Sequence, residues 1–139
     1  MLEFTFTIED APAQRDLDEL YLGLKEYNFP YLGWVKHEKL AVLLKDSEAR
    51  LVGGVLGETS LGWLEVYQLW VRQDLRGKGY GRTLMCMVEQ AAISRGCSQA
   101  VLDTFSFQAP EFYQKLGYFI VASLDYGEHQ RYFLQKHLS

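Results

Sequence analysis

Residues 69–83 read Leu69-Trp70-Val71-Arg72-Gln73-Asp74-Leu75-Arg76-Gly77-Lys78-Gly79-Tyr80-Gly81-Arg82-Thr83, an apolar strand that runs through three alternate glycines directly into a helical pattern. Glycine allows backbone conformations that aim consecutive N–H groups into one concavity. Without side chains in the way, a phosphate can approach those groups at the positive end of the helix. The turn also carries positive charge on Arg76, Lys78 and Arg82. This pattern predicts a site for a phosphate-bearing ligand.

The turn differs from two common nucleotide-binding loops. A P-loop ends in Gly-Lys-Ser/Thr, and Gly77-Lys78-Gly79 does not. The dinucleotide fingerprint needs Gly-x-Gly-x-x-Gly, and counting from Gly77 its third glycine is replaced by Arg82. Asp103, on the next predicted strand, is spaced like a ribose-binding acid, so dinucleotide binding stays open as a minor alternative. Only about 35 residues follow it, too few to complete a doubly wound domain.

The chain after the turn alternates helices and strands. From Gly79 to Arg95 apolar residues recur at helical spacing, and Gly96 ends the pattern. The following segments predict a strand over 100–105, a short helix over 110–116 and two strands over 118–123 and 131–135. These elements form one β-α-β crossover followed by a hairpin.

The chain before the turn predicts three consecutive strands and an amino-terminal helix. Strand 63–71 leads into the turn, and strands 40–44 and 51–56 flank a polar turn as an antiparallel hairpin. A helix is predicted over 16–27 and should end at Asn28-Phe29-Pro30. Its apolar residues form one face that we expect to be buried: Leu17, Leu20, Tyr21 and Leu24. Alternation over 4–8 predicts a first strand, so the whole order indicates a mixed, twisted sheet with helices on both faces.

The composition is that of an ordinary globular protein. Of 139 residues 48% are hydrophobic and 23% charged, so we expect one domain over residues 1–139 with a substantial core. The net charge of −4 gives no general reason to bind nucleic acid or anionic lipid. Apolar runs fall short of the ~18 residues of a membrane span, and the first residues lack the pattern of an export signal. A cytoplasmic location is therefore expected.

Cysteine and histidine indicate neither a disulfide nor a metal site. Cys86 and Cys97 form no CxxC motif and no disulfide framework, so we expect two reduced, mostly buried thiols. His37, His129 and His137 are scattered without HExxH or paired Cys/His spacing, so no metal is expected.

Two blocks together resemble the GNAT superfamily of acyl-CoA-dependent N-acetyltransferases. The first, Val71-Arg72-Gln73-Asp74-Leu75-Arg76-Gly77-Lys78-Gly79-Tyr80-Gly81, is similar to the family's Arg/Gln-x-x-Gly-x-Gly/Ala signature. The second, Ala109-Pro110-Glu111-Phe112-Tyr113-Gln114-Lys115-Leu116-Gly117-Tyr118, is similar to its Ala-x-x-Phe-Tyr-x-Lys-x-Gly-Phe block. The resemblance implies a single-domain α+β (mixed α/β) fold. Its central sheet would be mostly antiparallel and splayed between the strand ending at Val71 and the strand 100–105.

The resemblance also implies acetyl-CoA as cosubstrate. Backbone N–H groups from Gly77 through Arg82 would hold its pyrophosphate, and the main chain of Leu69 and Val71 would contact the thioester and the pantetheine arm, as an open strand edge can. Family members often carry Asn where this chain has Ser106, which can still form one hydrogen bond. The expected cofactor-binding residues are Leu69, Val71, Arg76, Gly77, Lys78, Gly79, Tyr80, Gly81, Arg82 and Ser106.

Tyr113 matches the tyrosine that in many family members protonates the departing CoA thiolate. A weak acid near the sulfur suits that chemistry, because a thiolate leaves more readily when it is protonated or hydrogen-bonded. The structural alternative is that Phe112 and Tyr113 only provide core contacts for a short helix.

Glu65 lies where some family members carry a glutamate that deprotonates the acceptor amine. A base is needed because an amine with a pKa of ~10.4 is mostly protonated at neutral pH. Alternation along the strand predicts that Glu65, Tyr67 and Leu69 share one face, towards the thioester. The alternative is a solvated glutamate near a strand start, and Glu58 is a second candidate base.

These residues predict transfer of an acetyl group from acetyl-CoA to a primary amine by direct attack, without a covalent enzyme intermediate. The alternative is an acyl-CoA-binding sensor or module that does not catalyse. The acceptor would be a small-molecule or peptide amine, selected by residues 16–36 and 124–131, and a homodimer is plausible. A candidate acceptor pocket would be lined by Asp103 and the aromatic residues Tyr27, Phe29, Tyr31 and Trp34.

Overall fold

A computed structural model describes residues 3–139. The chain divides into two compact units, one that ends at Val35 and one from Lys36 to Ser139. The prediction of a single domain over residues 1–139 and that of helices on both faces of the sheet stay predictions. Among residues 3–139 no helix is both long and apolar enough to cross a membrane.

The first unit contains one helix, α1 (Gln14–Leu32), and no strand among its described residues. The strand predicted over 4–8 is wrong, because no neighbouring strand pairs with this segment and the side chains of Phe6 and Ile8 are fully exposed. The predicted helix end is also wrong, since Pro30 lies inside the last turns and the helix ends at Leu32, followed by Gly33 with a φ of 66°. Pro30 cannot donate the backbone hydrogen bond to residue 26, so α1 continues through it with one such bond fewer.

Within the first unit, the face of α1 that was expected to be buried is not covered. None of its apolar side chains is buried, and Leu20 keeps 73% of its surface exposed. The 3.6-residue period was interpreted correctly as a helix, but a period does not state what the apolar face packs against.

The second unit contains six strands and two further helices, in the order expected from the sequence. They are β1 (Glu38–Lys45), β2 (Leu51–Ser60), β3 (Trp63–Val71), α2 (Tyr80–Ser94), β4 (Gln99–Phe105), α3 (Pro110–Lys115), β5 (Phe119–Tyr126) and β6 (His129–His137). The sheet order is β1-β2-β3-β4-β6-β5. Only β3 and β4 run parallel, and every other neighbouring pair is antiparallel. The predicted mixed, mostly antiparallel α/β fold is confirmed, and it is not the parallel sheet of a doubly wound dinucleotide fold.

The core lies between α2 and one face of the sheet. Leu84, Met85 and Val88 of α2 pack against alternate residues of β2, β3, β4 and β6, including Leu64 and Leu134. This is the pattern expected when one face of a helix meets one face of a sheet. Cys97 is buried beside this core, whereas Cys86 is exposed on α2, so the prediction of buried thiols is right for one and wrong for the other.

A charged network is buried at the edge of the core. Glu89 accepts hydrogen bonds from the Tyr118 hydroxyl at 2.8 Å and from the Lys136 ammonium at 2.6 Å. Burial and the nearby Glu89 carboxylate raise the pKa of Tyr118, so this hydroxyl stays a donor. The network joins α2, β6 and the residue that precedes β5.

Replacing Glu89 by Gln should lower the free energy of unfolding by about 2 kcal/mol, because the half-buried Lys136 ammonium loses its buried carboxylate partner. Denaturant unfolding followed by circular dichroism measures the change. The control is Glu48→Gln, which removes an exposed ion pair with Arg50 and should cost less than about 1 kcal/mol. Equal effects of the two substitutions would contradict the role given to the network.

Candidate active site

The sheet opens between its two parallel strands. Ladder pairing of β3 with β4 ends at Val66 and Leu102, although β3 continues to Val71 and β4 to Phe105. Beyond this point the two strands continue without pairing, which confirms the splay that the family resemblance implies. The gap exposes main-chain groups that a sheet ordinarily pairs.

This gap forms a cavity of about 320 Å³, here called the splay opening. It is lined by Val66, Tyr67, Gln68, Leu69, Leu102, Asp103, Thr104, Phe105, Gln108 and Tyr113. The two strands contribute most of the lining, and Tyr113 enters from α3. A ligand in the opening would therefore meet strand edges on two sides and the two tyrosines Tyr67 and Tyr113.

The glycine turn presents six consecutive N–H groups, from Gly77 to Arg82. None of them donates to a backbone or side-chain acceptor among residues 3–139, and the first bond into α2 is made by the N–H of Thr83 to the Gly79 carbonyl at 3.1 Å. Gly77 and Gly79 have φ values of 76° and 90°, which glycine adopts without a Cβ penalty. Unpaired donors at a helix start form a ready site for an anion.

Side-chain bonds hold the turn in shape. The Arg72 guanidinium donates to the Asp74 carboxylate at 2.6 and 2.9 Å, and the Arg76 Nε donates to the Val71 carbonyl at 2.8 Å. Both contacts link the end of β3 to the residues before the glycines. The turn is therefore anchored to the strand that borders the opening.

A second cavity, the glycine-turn groove, continues from the splay opening and has a volume of about 500 Å³. Eight of the ten expected cofactor-binding residues line it: Leu69, Val71, Arg76, Gly77, Gly79, Tyr80, Gly81 and Arg82. Lys78 and Ser106 line neither cavity. The Ser106 hydroxyl accepts a bond from the Gln130 N–H at 3.0 Å, which ties it to β6.

Tyr113 lines both cavities at the point where they meet. Its ring packs against Phe112 and Tyr118, with centroids 5.1 and 6.0 Å away. Burial, with a smaller effect of the Asp103 charge, raises the pKa of the Tyr113 hydroxyl, so its proton is retained at neutral pH. The same side chain thus packs in the core and presents a weak acid to the opening.

A bulge at Tyr67 changes which residues share a face of β3. Leu56 pairs with Gln68 and Gly57 with Val66, so Tyr67 has no partner on β2. A Cβ on Gly57 would lie 2.6 Å from the Glu65 carbonyl, and only glycine allows this approach. The prediction that Leu69 shares a face with Glu65 is therefore wrong, because Leu69 packs on the core side. A glycine inside a strand was the available signal.

Glu65 lies on the face of the sheet opposite α2, beside the second candidate base. Glu58 is its direct partner on β2. The Tyr67 hydroxyl donates to Glu58 at 2.8 Å and lies 3.4 Å from Glu65, and the bond to Glu58, followed by burial and the charge of Glu65, raises the pKa of Tyr67 to about 12. His37 lies 3.8 Å from Glu58. Tyr67 reaches the splay opening, whereas neither glutamate lines it.

Comparison with known proteins assigns these features to a family. The model of the Acetyltransferase (GNAT) family matches residues 5–118. This chain belongs to the GNAT acetyltransferase family. The acetyltransferase Atu2258 of Agrobacterium fabrum (strain C58 / ATCC 33970) is 31% identical over 117 residues, which cover 84% of this chain and 83% of that protein.

Two solved structures show the same GNAT architecture. An acetyltransferase from Bacillus cereus ATCC 14579 superimposes with a TM-score of 0.83 at 29% identity and covers 95% of this chain and 98% of its own. An aminoglycoside 6'-N-acetyltransferase complexed with coenzyme A has a TM-score of 0.65 at 22% identity and covers 73% of this chain and 74% of its own. At that identity the second comparison supports the fold alone.

Within this GNAT site, Gln108 is a lining residue that the sequence reasoning missed. It borders both the groove and the opening, immediately before Ala109. Its carboxamide oxygen accepts from the Phe105 N–H at 2.8 Å. Ala109 has a left-handed φ of 90°, which for a residue with a Cβ costs about 1–2 kcal/mol. The Gln108 side chain belongs to a loop, and no periodic pattern in the sequence predicts where a loop residue lies.

Asp103 was expected to line an acceptor pocket, and it lines the splay opening. Its carboxylate accepts a bond from the Arg131 Nε at 2.9 Å, and the Arg131 guanidinium in turn donates to the Tyr126 hydroxyl at 3.1 Å. Arg131 therefore balances the charge of Asp103 at this border. Tyr27, Phe29, Tyr31 and Trp34 belong to the first unit, and their part in an acceptor pocket stays a prediction.

Proposed function

We propose that this GNAT acetyltransferase moves an acetyl group from acetyl-CoA to a primary amine by direct attack. The observation that carries the proposal is the row of six unpaired N–H groups at the start of α2, in a groove continuous with the splay opening. A pyrophosphate satisfies such donors, and a long amide-bearing arm fits along an open strand edge. Membership of the GNAT acetyltransferase family supports the transfer of an acetyl group.

Acetyl-CoA supplies the thioester, whose carbonyl carbon forms the new C–N bond while its C–S bond breaks. The edges of β3 and β4 orient the reacting ends within the splay opening, which reduces the entropy cost of bringing them together. Main-chain N–H groups at these edges stabilise the negative charge that develops on the carbonyl oxygen. Tyr113 gives its proton to the departing sulfur, as its position between the two cavities allows.

The acceptor nitrogen must lose a proton as it attacks. Glu65 is the proposed base, with Glu58 as its alternative, and either carboxylate would take the proton through water, because neither lines the opening itself. Tyr67 bonds to this pair and reaches the opening, so it provides a polar connection between the carboxylates and the acceptor. Two adjacent carboxylates also favour a cationic amine near this face of the sheet.

The test of the proposal is acetyl transfer to a panel of primary amines, measured as free thiol released from acetyl-CoA and as acetylated product by mass spectrometry. We expect equal amounts of thiol and product with at least one amine, and no acetylated enzyme in the absence of acceptor. Tight binding of acetyl-CoA without turnover over a broad panel would support a non-catalytic acyl-CoA sensor instead.

Glu65→Gln should slow acetyl transfer about tenfold near pH 6.5 and less near pH 8.5. A base matters most where the acceptor amine is largely protonated. The measurement is kcat/KM against pH for the two isosteric variants Glu65→Gln and Glu58→Gln, which separates the two candidates. A loss that is the same at every pH would indicate a positioning role for the glutamate rather than a base.

A further inference from the structure

We propose that Tyr67 relays a proton from the acceptor nitrogen to the paired glutamates Glu58 and Glu65. The inference rests on the proposed function and deepens it, because it assigns the first contact of the departing proton to a fixed phenol hydroxyl in place of water. It gives a catalytic role to a residue outside both of the sequence blocks that identify the family.

The positions of the two carboxylates create the need for a relay. Neither Glu58 nor Glu65 lines the splay opening, and the Glu58 side chain keeps only 25% of its surface exposed. Tyr67 does line the opening, and half of its surface is exposed. An acceptor amine in the opening can therefore contact Tyr67 without contacting either carboxylate.

The Tyr67 hydroxyl is within hydrogen-bonding distance of both carboxylates. It donates to Glu58 Oε2 at 2.8 Å and lies 3.4 Å from Glu65 Oε2. The bond to Glu58 is the largest of the causes that raise the pKa of Tyr67 to about 12, so the hydroxyl holds its proton at neutral pH. While that one proton is directed at a carboxylate, the oxygen keeps lone pairs that accept a proton from a nitrogen in the opening.

The bulge in β3 fixes the residue that connects the carboxylates to the opening. Tyr67 is the residue without a partner on β2, and the bare Cα of Gly57 allows the strands to approach closely beside it. A bulge of this kind redirects one side chain out of the regular alternation of a strand. The position of Tyr67 is thus set by the backbone on both strands.

The transfer leaves Tyr67 unchanged. As the acceptor nitrogen bonds to the thioester carbonyl carbon, its N–H bond breaks, the electron pair stays on nitrogen, and the Tyr67 oxygen takes the proton. The original phenol O–H bond breaks in the same step, and its proton forms an O–H bond on Glu58 or Glu65. His37 Nδ1 lies 3.8 Å from the same Glu58 oxygen, and its side chain is 40% exposed, which gives the proton a route to solvent.

Asp103 also lines the opening and is the competing proton acceptor. Its carboxylate accepts a bond from the Arg131 Nε at 2.9 Å, so a proton placed there would disrupt an ion pair. Among residues 3–139 neither Glu58 nor Glu65 forms an ion pair with a lysine or an arginine. The paired glutamates are therefore the destination that leaves the other contacts of the site intact.

The experiment measures acetyl transfer from acetyl-CoA to the primary amine of the panel that the wild type acetylates fastest. The variants are Tyr67→Phe, Glu58→Gln, Glu65→Gln and the two double variants that combine Tyr67→Phe with each glutamate substitution. The matched control is Tyr118→Phe, which also removes a hydroxyl bonded to a glutamate, Glu89, at 2.8 Å but lines neither cavity. Titration calorimetry with acetyl-CoA and thermal unfolding report cosubstrate binding and folding of each variant.

Tyr67→Phe should lower kcat/KM for the amine about tenfold, because water replaces the hydroxyl only in part, and should leave the Kd of acetyl-CoA unchanged. In the double variant with the glutamate that receives the proton, the loss should stay about tenfold, since both substitutions break one relay. Tyr118→Phe should act at the wild-type rate.

A wild-type rate in Tyr67→Phe would overturn the inference. So would losses that multiply to about 100-fold in both double variants, because Tyr67 would then act independently of the glutamates. If the wild type acetylated no amine of the panel, the proposed function itself would be wrong and the inference with it.

Discussion

Gly79→Val should weaken CoA binding about 100-fold. Gly79 has a φ of 90° at the residue before α2, a conformation that a β-branched residue does not adopt without strain. Valine would force the turn to a different backbone path and so displace the six unpaired N–H groups from Gly77 to Arg82. Loss of about two hydrogen bonds to a charged phosphate, each worth about 1.5 kcal/mol, accounts for the factor of about 100.

A matched control separates loss of the site from loss of stability. Gly62, in the turn between β2 and β3, has a φ of 79° and, like Gly79, open space where a Cβ would stand. Gly62→Val and Gly79→Val should each lower the free energy of unfolding by about 1–2 kcal/mol, because both place a Cβ at a positive φ. Only Gly79→Val should change the affinity for CoA. Equal CoA affinity of the two variants would contradict the proposal that the glycine turn binds CoA.

Tyr113→Phe should lower kcat for acetyl transfer about 100-fold and change the Kd of acetyl-CoA less than about twofold. The substitution removes only the hydroxyl that would protonate the departing thiolate, and general acid catalysis contributes at least that factor. The ring that packs against Phe112 and Tyr118 is retained, so the fold should not change. The measurements are steady-state kinetics and titration calorimetry on the same preparation.

Tyr132→Phe is the control for this prediction, because Tyr132 packs against the same core and lines neither cavity. Its kcat should equal that of the wild type. Burial raises the pKa of Tyr113, so its acid form persists at neutral and mildly alkaline pH, and the wild-type rate should not fall through Tyr113 ionisation in that range. Full activity of Tyr113→Phe would remove this residue from the mechanism.

Most of the second unit could be predicted from periodicity and turn chemistry. β3 was predicted with its observed ends, and α2 within one residue at each end, because an apolar strand, a glycine turn and a helical stripe follow one another without ambiguity. The splay and the groove residues came from the resemblance to GNAT proteins. No periodic pattern states where two strands stop pairing.

The errors have identifiable physical causes. The strand expected over 4–8 has good alternation but no neighbouring strand, and alternation alone provides no hydrogen-bond partner. The predicted face of Leu69 was wrong because the bulge at Tyr67 adds one residue to β3, whose side chains otherwise alternate between the two faces of the sheet. Gln108 was missed because a loop residue is defined by its three-dimensional neighbours, and its sequence neighbours carry no such signal.

We propose that the glycine turn and the splay opening together bind acetyl-CoA. The most direct test is thermal unfolding of the purified protein alone and with acetyl-CoA, CoA or NAD at matched concentrations. Acetyl-CoA and CoA should each raise the unfolding temperature, since a ligand at 100 times its Kd adds about 2.7 kcal/mol of stability. NAD should have no effect. No shift with acetyl-CoA or CoA, or a shift with NAD alone, would contradict the account.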